Sequence, residues 1–462
     1  MQSDSFFSRF TSSLGESIKH WADHAINGSE PEHEYNRATW GDPNDGFLST
    51  SNTGLQIGSV GISPQTSLMH SVTVAQSGLG KTTSLIYNTL LQADGAGSYL
   101  VYDESRQIHK HTSGYLASRG YNILIFDLDN PDLSIKWNCL HYIKNPSDIG
   151  KISAMLLSSI HSQNSDPFWS ASAEGILNCY LELIIKLEPE KQTISYVREL
   201  IMRSTYEPEY VDQLFAKYAD EKLMNRYKYN IGISEKTLSG IYQSIMAATK
   251  IYDLENVQEI TSQSTIQDLT TIRTQPTVVY LFNSLKNHRF YASLIGMFLS
   301  QVCSALCEKV PETPQEKRIC YFLLDEVTSL AHSIKYELSL WMSNVRKYML
   351  SIHLILQEWQ SLKTYFHEQS ENIYANCYTK IFFTSQNLET ATKISAMLGN
   401  TTIEKDEKEI VQPLYSASQI RQMPSDHVII LAGNRSGYKI PILPYYKIMK
   451  LNMRSKIPPV YK

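Results

Sequence analysis

From residue 54 onward, short apolar runs ending in glycine, aspartate or asparagine alternate with stretches of helical periodicity. His70 to Ala75 (HSVTVA) predicts a strand, Lys81 to Gln92 a helix and Ser98 to Tyr102 (SYLVY) a second strand. Gln107 to Arg119 reads as helix and Tyr121 to Phe126 (YNILIF) as a third strand. Strand, helix, strand is the grammar of a parallel sheet. After residue 150 the pattern changes, and residues 151 to 265 carry helical spacing with no convincing strand. Leu238, Ile241, Ile245 and Tyr252 recur on one helical stripe, with Ala248 between them. Strands return at Thr277 to Phe282 (TVVYLF), Cys320 to Leu324 (CYFLL), Ser351 to Leu356 (SIHLIL), Thr379 to Phe383 (TKIFF) and His427 to Leu431 (HVIIL). A helix is expected from Tyr291 to Leu306. The simplest architecture is an α/β chain: one mainly parallel sheet built from both halves, with an all-α domain inserted between them. The expected divisions are an N-terminal helix and linker (1–53), the first part of the α/β domain (54–150), the all-α domain (151–268), the second part (269–448) and a basic tail (449–462).

Within the first 30 residues, Phe6, Phe7, Phe10, Leu14, Ile18 and Trp21 fall partly at helical spacing. They predict a short amphipathic helix packed on its own domain, with docking on a partner or a membrane face as the alternative. Residues 28 to 53 are rich in Gly, Ser, Pro, Asn and Asp and read as linker. No stretch of 18 apolar residues occurs, so no transmembrane helix is expected. Lys plus Arg is 42 against 46 for Asp plus Glu, a net charge of −4, which excludes a free-standing basic nucleic-acid binder and leaves only a local patch for DNA. The tail from Lys447 to Lys462 has five basic residues and no acid, and reads as solvated, with contact to nucleic acid or anionic lipid as the alternative. The six cysteines form no CxxC pair and read as reduced packing thiols. No metal site at zinc spacing and no Ser, Cys or His nucleophile arrangement is expected.

The strongest chemical signal is AQSGLGKTT, Ala75 to Thr83. It follows a strand and precedes a helix, the context that a phosphate-binding loop requires. Gly78 and Gly80 let the chain curl so that backbone N–H groups of Ser77 to Thr83, Leu79 included, converge on phosphate oxygens. Lys81 would reach the β- and γ-phosphates, and the Thr82 hydroxyl would ligate Mg²⁺. The usual motif opens with Gly where this chain has Ala75, a small residue that fits if its φ is negative. ATP and Mg²⁺ are therefore the expected ligands.

Such a loop needs an acidic partner for Mg²⁺ and for the attacking water. Two strands end in Asp-Glu, SYLVYDE (Asp103, Glu104) and CYFLLDE (Asp325, Glu326). The second is the more continuous apolar run, as expected of a central strand beside the phosphate loop. Asp325 is assigned to Mg²⁺ and Glu326 to polarising water. Asp103 and Glu104 are read as a solvated turn or a structural pair. Gln357, after SIHLIL, is a candidate γ-phosphate sensor. Arg346, in VRKY, is a candidate arginine finger if a neighbouring subunit presents it.

With these residues in place, the chain resembles the TraG/TraD family of conjugative type IV secretion coupling proteins from about Gly54 to Tyr446. The likeness rests on ordered blocks: the phosphate loop; SYLVYDESRQIHKHTSGYLASRGYNILIFDLDNPDLSIKWNCL; DPFW at Asp166 to Trp169; FLLDEVTSL at Phe322 to Leu330; RKYMLSIHLILQEWQSL at Arg346 to Leu362; NCYTKIFFTSQNLETATKISAMLGNTT at Asn376 to Thr402; and Pro413 to Tyr446, which resembles the family's final strands. Together they are specific where any one is weak.

The resemblance implies a RecA-like nucleotide-binding domain with an all-α insertion, assembling as a hexamer. It implies an ATPase that delivers a relaxase–DNA complex, or protein effectors, to a secretion channel, with DNA gripped through its phosphates. It makes Arg346 a trans-acting finger and Gln357 a phosphate sensor, and turns the all-α domain toward the cytoplasm and the relaxosome. The family usually begins with two transmembrane helices. Their absence here implies a soluble branch, or a partner subunit that anchors the chain at the inner face of the membrane. Relatives often read Asp-Pro-Lys-Gly-Glu where this chain has DESRQ (Asp103 to Gln107), and often have Gly in place of Met349. The alternatives are a ring DNA translocase in segregation, packaging or defence, and a docking platform that does not hydrolyse ATP.

Overall fold

The computed structural model describes residues 37–158, 167–284, 287–405 and 408–461, so the expected N-terminal amphipathic helix lies outside the described residues. Nine strands form the principal sheet: β1 (Ser71–Val74), β2 (Gly97–Asp103), β3 (Asn122–Asp127), β4 (Thr277–Phe282), β5 (Ile319–Leu324), β6 (Leu350–Leu356), β7 (Thr379–Phe383), β8 (His427–Ala432) and β9 (Tyr438–Pro441). Their order is β9-β8-β7-β1-β6-β5-β2-β4-β3. The seven strands from β7 to β3 are parallel, and β8 and β9 add an antiparallel edge. Every residue of β1, β2, β4, β5 and β6 is buried. Strands covered on both faces have no polar side to show, which is why they read as continuous apolar runs.

Alternate residues of one strand enter opposite cores. Leu100 and Tyr102 of β2 join one apolar cluster, while Tyr99 and Val101 join the other. The first cluster continues without a break into the helices inserted between β3 and β4. These include α4 (Pro146–Leu157), α5 (Pro167–Ile184), α6 (Ile194–Arg203), α7 (Pro208–Tyr218), α8 (Glu221–Ile231), α9 (Glu235–Ala248) and α10 (Glu255–Ile260); α1 to α3 precede them at Lys81–Ser84, Ile86–Leu90 and Gln107–Ser118. Polar side chains start several of them. Asn145 and Asp148 form a reciprocal capping box before α4, and Thr193, Asp220 and Ser234 cap α6, α8 and α9. Phe215 and Tyr227 stack at 3.6 Å inside this unit. At its junction with the sheet, Phe126 of β3 stacks at 4.9 Å on Phe298 of α11 (His288–Leu306).

Four expectations need correction. The helix expected over 81–92 is distorted at Leu85, whose φ of −114° and ψ of −67° lie at the edge of the helical region and divide α1 from α2, and it ends at Leu90. Residues 37–53 are not a free linker: Phe47 and Leu48 are buried, Phe47 stacks on Tyr438 at 5.2 Å, and Asp45 pairs with Arg435. The basic tail is docked rather than free, although Lys447, Lys450 and Lys456 stay exposed. Met449–Arg454 is helical, Arg454 lies over the Tyr115 ring at 4.5 Å, and Val460 N–H donates to Ser113 Oγ at 3.1 Å. Finally, β5 is not the neighbour of β1, because β6 lies between them. The pattern also left two hairpins unmarked, Gln56–Ile57 with Val60–Gly61 and Asn400–Lys405 with Lys408–Pro413.

Candidate active site

The loop after β1 starts in register with the sheet, Ala75 N–H donating to Leu356 O of β6 at 3.0 Å. It then turns twice through the left-handed region, at Gly78 (φ +82°) and Gly80 (φ +83°). An L side chain is strained at either position, so both glycines are required by the backbone itself. Ser77 and Gly78 are exposed, and Leu79 packs its side chain on the core cluster beneath. Lys81 opens α1, and Thr83 Oγ1 donates back to Gly80 O at 3.1 Å, fixing the turn.

The first helical turn meets the acidic pair some 240 residues later in the chain. Thr82 Oγ1 donates to Asp325 Oδ2 at 2.7 Å, and Lys81 Nζ lies 3.3 Å from Glu326 Oε2. Asp325 Oδ1 is buried with no hydrogen-bond partner. Burial raises the Asp325 carboxyl above its usual range, with the Lys81 charge and the Thr82 hydroxyl pulling it back. A buried carboxylate oxygen without a partner, next to a threonine hydroxyl, fits a hard divalent cation that takes oxygen ligands. Glu326 is held in the left-handed region (φ +57°), and Thr328 Oγ1 donates to its Oε1 at 2.6 Å.

Gln357 follows β6, the strand between β1 and β5, and so emerges between the loop and the acidic pair. It lines a cavity of about 650 Å³ together with Glu104, Glu326, Ser329 and His332. Arg346 is not brought to this cluster. It precedes β6, whereas the phosphate loop lies beyond the other end of that parallel layer. Seven residues of strand separate the two edges by about 20 Å.

The pair at the end of β2 divides. Asp103 is buried and accepts from His109 N–H at 3.0 Å and Ser105 Oγ at 3.2 Å, which anchors the start of α3. Burial raises its carboxyl to about 6. Glu104 instead faces the cavity shared with Glu326. The sequence reading kept it out of the site because a second Asp-Glu strand competed for the same role; its place after a buried strand was the available signal.

The model of the type IV secretory system conjugative DNA transfer family matches residues 37–458. The chain belongs to this family. Protein VirD4 of Rhizobium rhizogenes is 24% identical over 413 residues, covering 82% of this chain and 58% of the relative. The chain therefore spans less than two thirds of the length of the curated relatives it matches. Among solved structures, the plasmid coupling protein TrwB in complex with a non-hydrolysable ATP analogue superposes with a TM-score of 0.68 at 16% identity, over 88% of this chain and 93% of that one. TrwB in complex with ADP and Mg²⁺ gives 0.65 at 15%, over 85% and 89%. The chain thus has the RecA-like phosphate-loop fold, with its loop and its second Asp-Glu pair joined at the carboxyl ends of the parallel strands. No helix among the described residues is long and apolar enough to cross a membrane.

Proposed function

We propose that this chain is a type IV secretion coupling ATPase, which recruits a relaxase–DNA complex or protein effectors and drives their delivery to the secretion channel. The observation that carries the reading is the double link of Thr82 to Asp325 and Lys81 to Glu326. A platform that only docked substrates would have no use for a loop lysine and threonine set against two separate carboxylates.

Ser77 to Thr83 would wrap the phosphates of ATP with backbone N–H groups, and Lys81 would turn from Glu326 to the β- and γ-oxygens. Thr82 and Asp325 would hold Mg²⁺. The ion, when bound, neutralises charge developing on the phosphate oxygens. Freed of Lys81, Glu326 orients the attacking water and takes its proton, with Thr328 fixing the carboxylate. Gln357, just after the strand between them, would contact the γ-phosphate. Arg346 reaches a site of this kind only from a neighbouring chain, which supports the ring reading, a homo-hexamer whose shared sites fire in turn. DNA, the relaxosome and the secretion channel or its membrane subunit are the partners this function needs, at the inner face of the membrane.

The test is ATP turnover by the purified chain with and without single- and double-stranded DNA, beside Lys81→Ala and Glu326→Gln. Turnover that DNA stimulates and both variants lack is expected. Wild-type turnover by either variant would overturn the assignment.

A further inference from the structure

Behind Glu326 lies a hydrogen-bonded chain that the hydrolytic scheme does not use. Tyr102, fully buried at the end of β2, accepts at its Oη from Asn283 Nδ2 at 2.7 Å. The same oxygen lies 2.8 Å from Ser329 Oγ and 3.1 Å from Glu104 Oε1. Ser329 Oγ is 3.0 Å from the Glu326 carbonyl oxygen, to which it donates. The series draws on three places in the chain, Tyr102 with Glu104, Asn283, and Glu326 with Ser329, and it ends on one turn of backbone.

That turn is the strained one. A non-glycine residue at φ +57° persists only where its surroundings over-determine it. Its carbonyl accepts from Ser329 Oγ and from Ser329 N–H at 3.1 Å. Tyr102 thus reaches the backbone of Glu326 through a single hydroxyl.

Glu104 takes part as the acceptor at the head of the series: Tyr102 Oη donates to its Oε1 at 3.1 Å. Burial raises the Glu104 carboxyl, and the Ser329 and Tyr102 hydroxyls pull it back. Glu104 also lines the same cavity as Glu326 and Gln357, so the chain backs directly onto the space where water meets phosphate.

We propose that Tyr102 and Glu104 are positioning residues for Glu326, acting through Ser329 to hold the turn that presents its carboxylate to the attacking water. This rests on the reading of Glu326 as the residue that orients water. The experiment compares Tyr102→Phe, Glu104→Ala and Glu104→Gln for ATP turnover, affinity for a fluorescent non-hydrolysable ATP analogue, and Tm. Tyr102→Phe and Glu104→Ala are expected to lower kcat by about tenfold or more, as loss of an outer partner does at comparable sites. KM and analogue affinity stay within about twofold, because the phosphate loop is untouched. Glu104→Gln recovers part of the loss of Glu104→Ala, since its amide oxygen can still accept from Tyr102 Oη. Wild-type kcat in Tyr102→Phe overturns the proposal. So does a parallel fall of kcat, analogue affinity and Tm, which marks general loosening. Glu326→Gln run alongside separates the two levels: if it keeps wild-type turnover, the assignment of Glu326 itself fails. If it is inactive while Tyr102→Phe and Glu104→Ala are normal, only the positioning role fails.

Discussion

Replacing Asp103 by Asn should stabilise the protein at neutral pH and leave Mg²⁺-dependent nucleotide binding in place. Asp103 is buried at the end of β2, where burial, with a smaller contribution from Asp325, raises its carboxyl from 3.8 to about 6. A carboxyl that titrates higher folded than unfolded holds more protons in the native state between those values. Its contribution is fully present below pH 3.8 and is lost as pH rises through 6. The shift of about 2 pH units, at ~1.4 kcal/mol each, makes the ionised form cost about 3 kcal/mol at pH 7.5. Asn keeps an oxygen to accept the His109 N–H and removes the charge. At ~2.1 cal/mol/K per residue, an α/β unit of roughly 280 residues has an unfolding entropy near ~0.6 kcal/mol/K, so Tm should rise by about 5 °C. Thermal melts of both proteins from pH 4 to 8 measure this, with the gap opening between pH 4 and 6 and constant above. A gap independent of pH, or an Asn variant less stable at pH 7.5, would refute the electrostatic argument. Mg²⁺ titration of nucleotide binding covers the functional half: Asp325→Asn should lose the metal dependence and Asp103→Asn should keep it. The reverse result would mean that the cation sits on the wrong strand in this scheme.

Acid should act on the protein through a different pair. His353 is buried between the hydroxyls of Ser71 and Ser351, at 2.7 and 2.8 Å, and burial lowers it to about 3; His70 falls to about 4 for the same reason, with the Arg346 charge adding. The unfolded chain binds more protons than the native one from about pH 6.5 downward, so stability falls with acid, by about 2 kcal/mol per histidine at pH 5. His353→Gln should flatten the fall of the urea midpoint between pH 7 and 5; an unchanged slope would refute it. At the docked C-terminal segment, a Cβ at Gly114 would meet Pro458 O at 2.2 Å and Ile457 O at 2.6 Å, both backbone atoms that cannot rotate away. Gly114→Ala should therefore lift residues 455–461 from α3 and speed their amide exchange, and unchanged protection would show that the segment accommodates a methyl group.

What the sequence made legible follows the range of the interaction. β4 falls on its predicted residues because continuous burial on both faces leaves a nearly continuous apolar run, and β7 does so on its buried Ile381 to Phe383 despite a half-buried Lys380. The loop glycines are legible because backbone geometry alone demands them. Docked segments are not: Phe47 and Leu48 sit in a stretch whose Gly, Pro and Asn content imitates a linker, and the tail's basic residues hide that Arg454 lies on an aromatic ring and Val460 on a serine. Glu104 was missed for a related reason. Two strands ended in the same dipeptide, and only the third dimension shows that one aspartate anchors a helix while its neighbouring glutamate turns toward the other pair.

Strand order explains why Gln357 and Arg346 part company, although they stand only eleven positions apart in one segment. β6 lies between the loop strand and the acidic strand, so whatever follows it at the carboxyl edge is delivered between Lys81 and Glu326. Whatever precedes it is delivered to the far edge, roughly one strand length away. A guanidinium cannot cross a packed sheet to the phosphates of its own chain. If Arg346 takes part in hydrolysis, the site has to be completed by a second copy, and turnover should then rise more steeply than in proportion to protein concentration until rings form. Mixing Arg346→Ala with Lys81→Ala chains tests this directly. Each homogeneous variant is inactive, but mixed assemblies regain some sites in which an intact loop faces an intact arginine. Activity that never exceeds that of the two variants measured apart would exclude a shared site and return Arg346 to an ordinary exposed residue at the foot of β6.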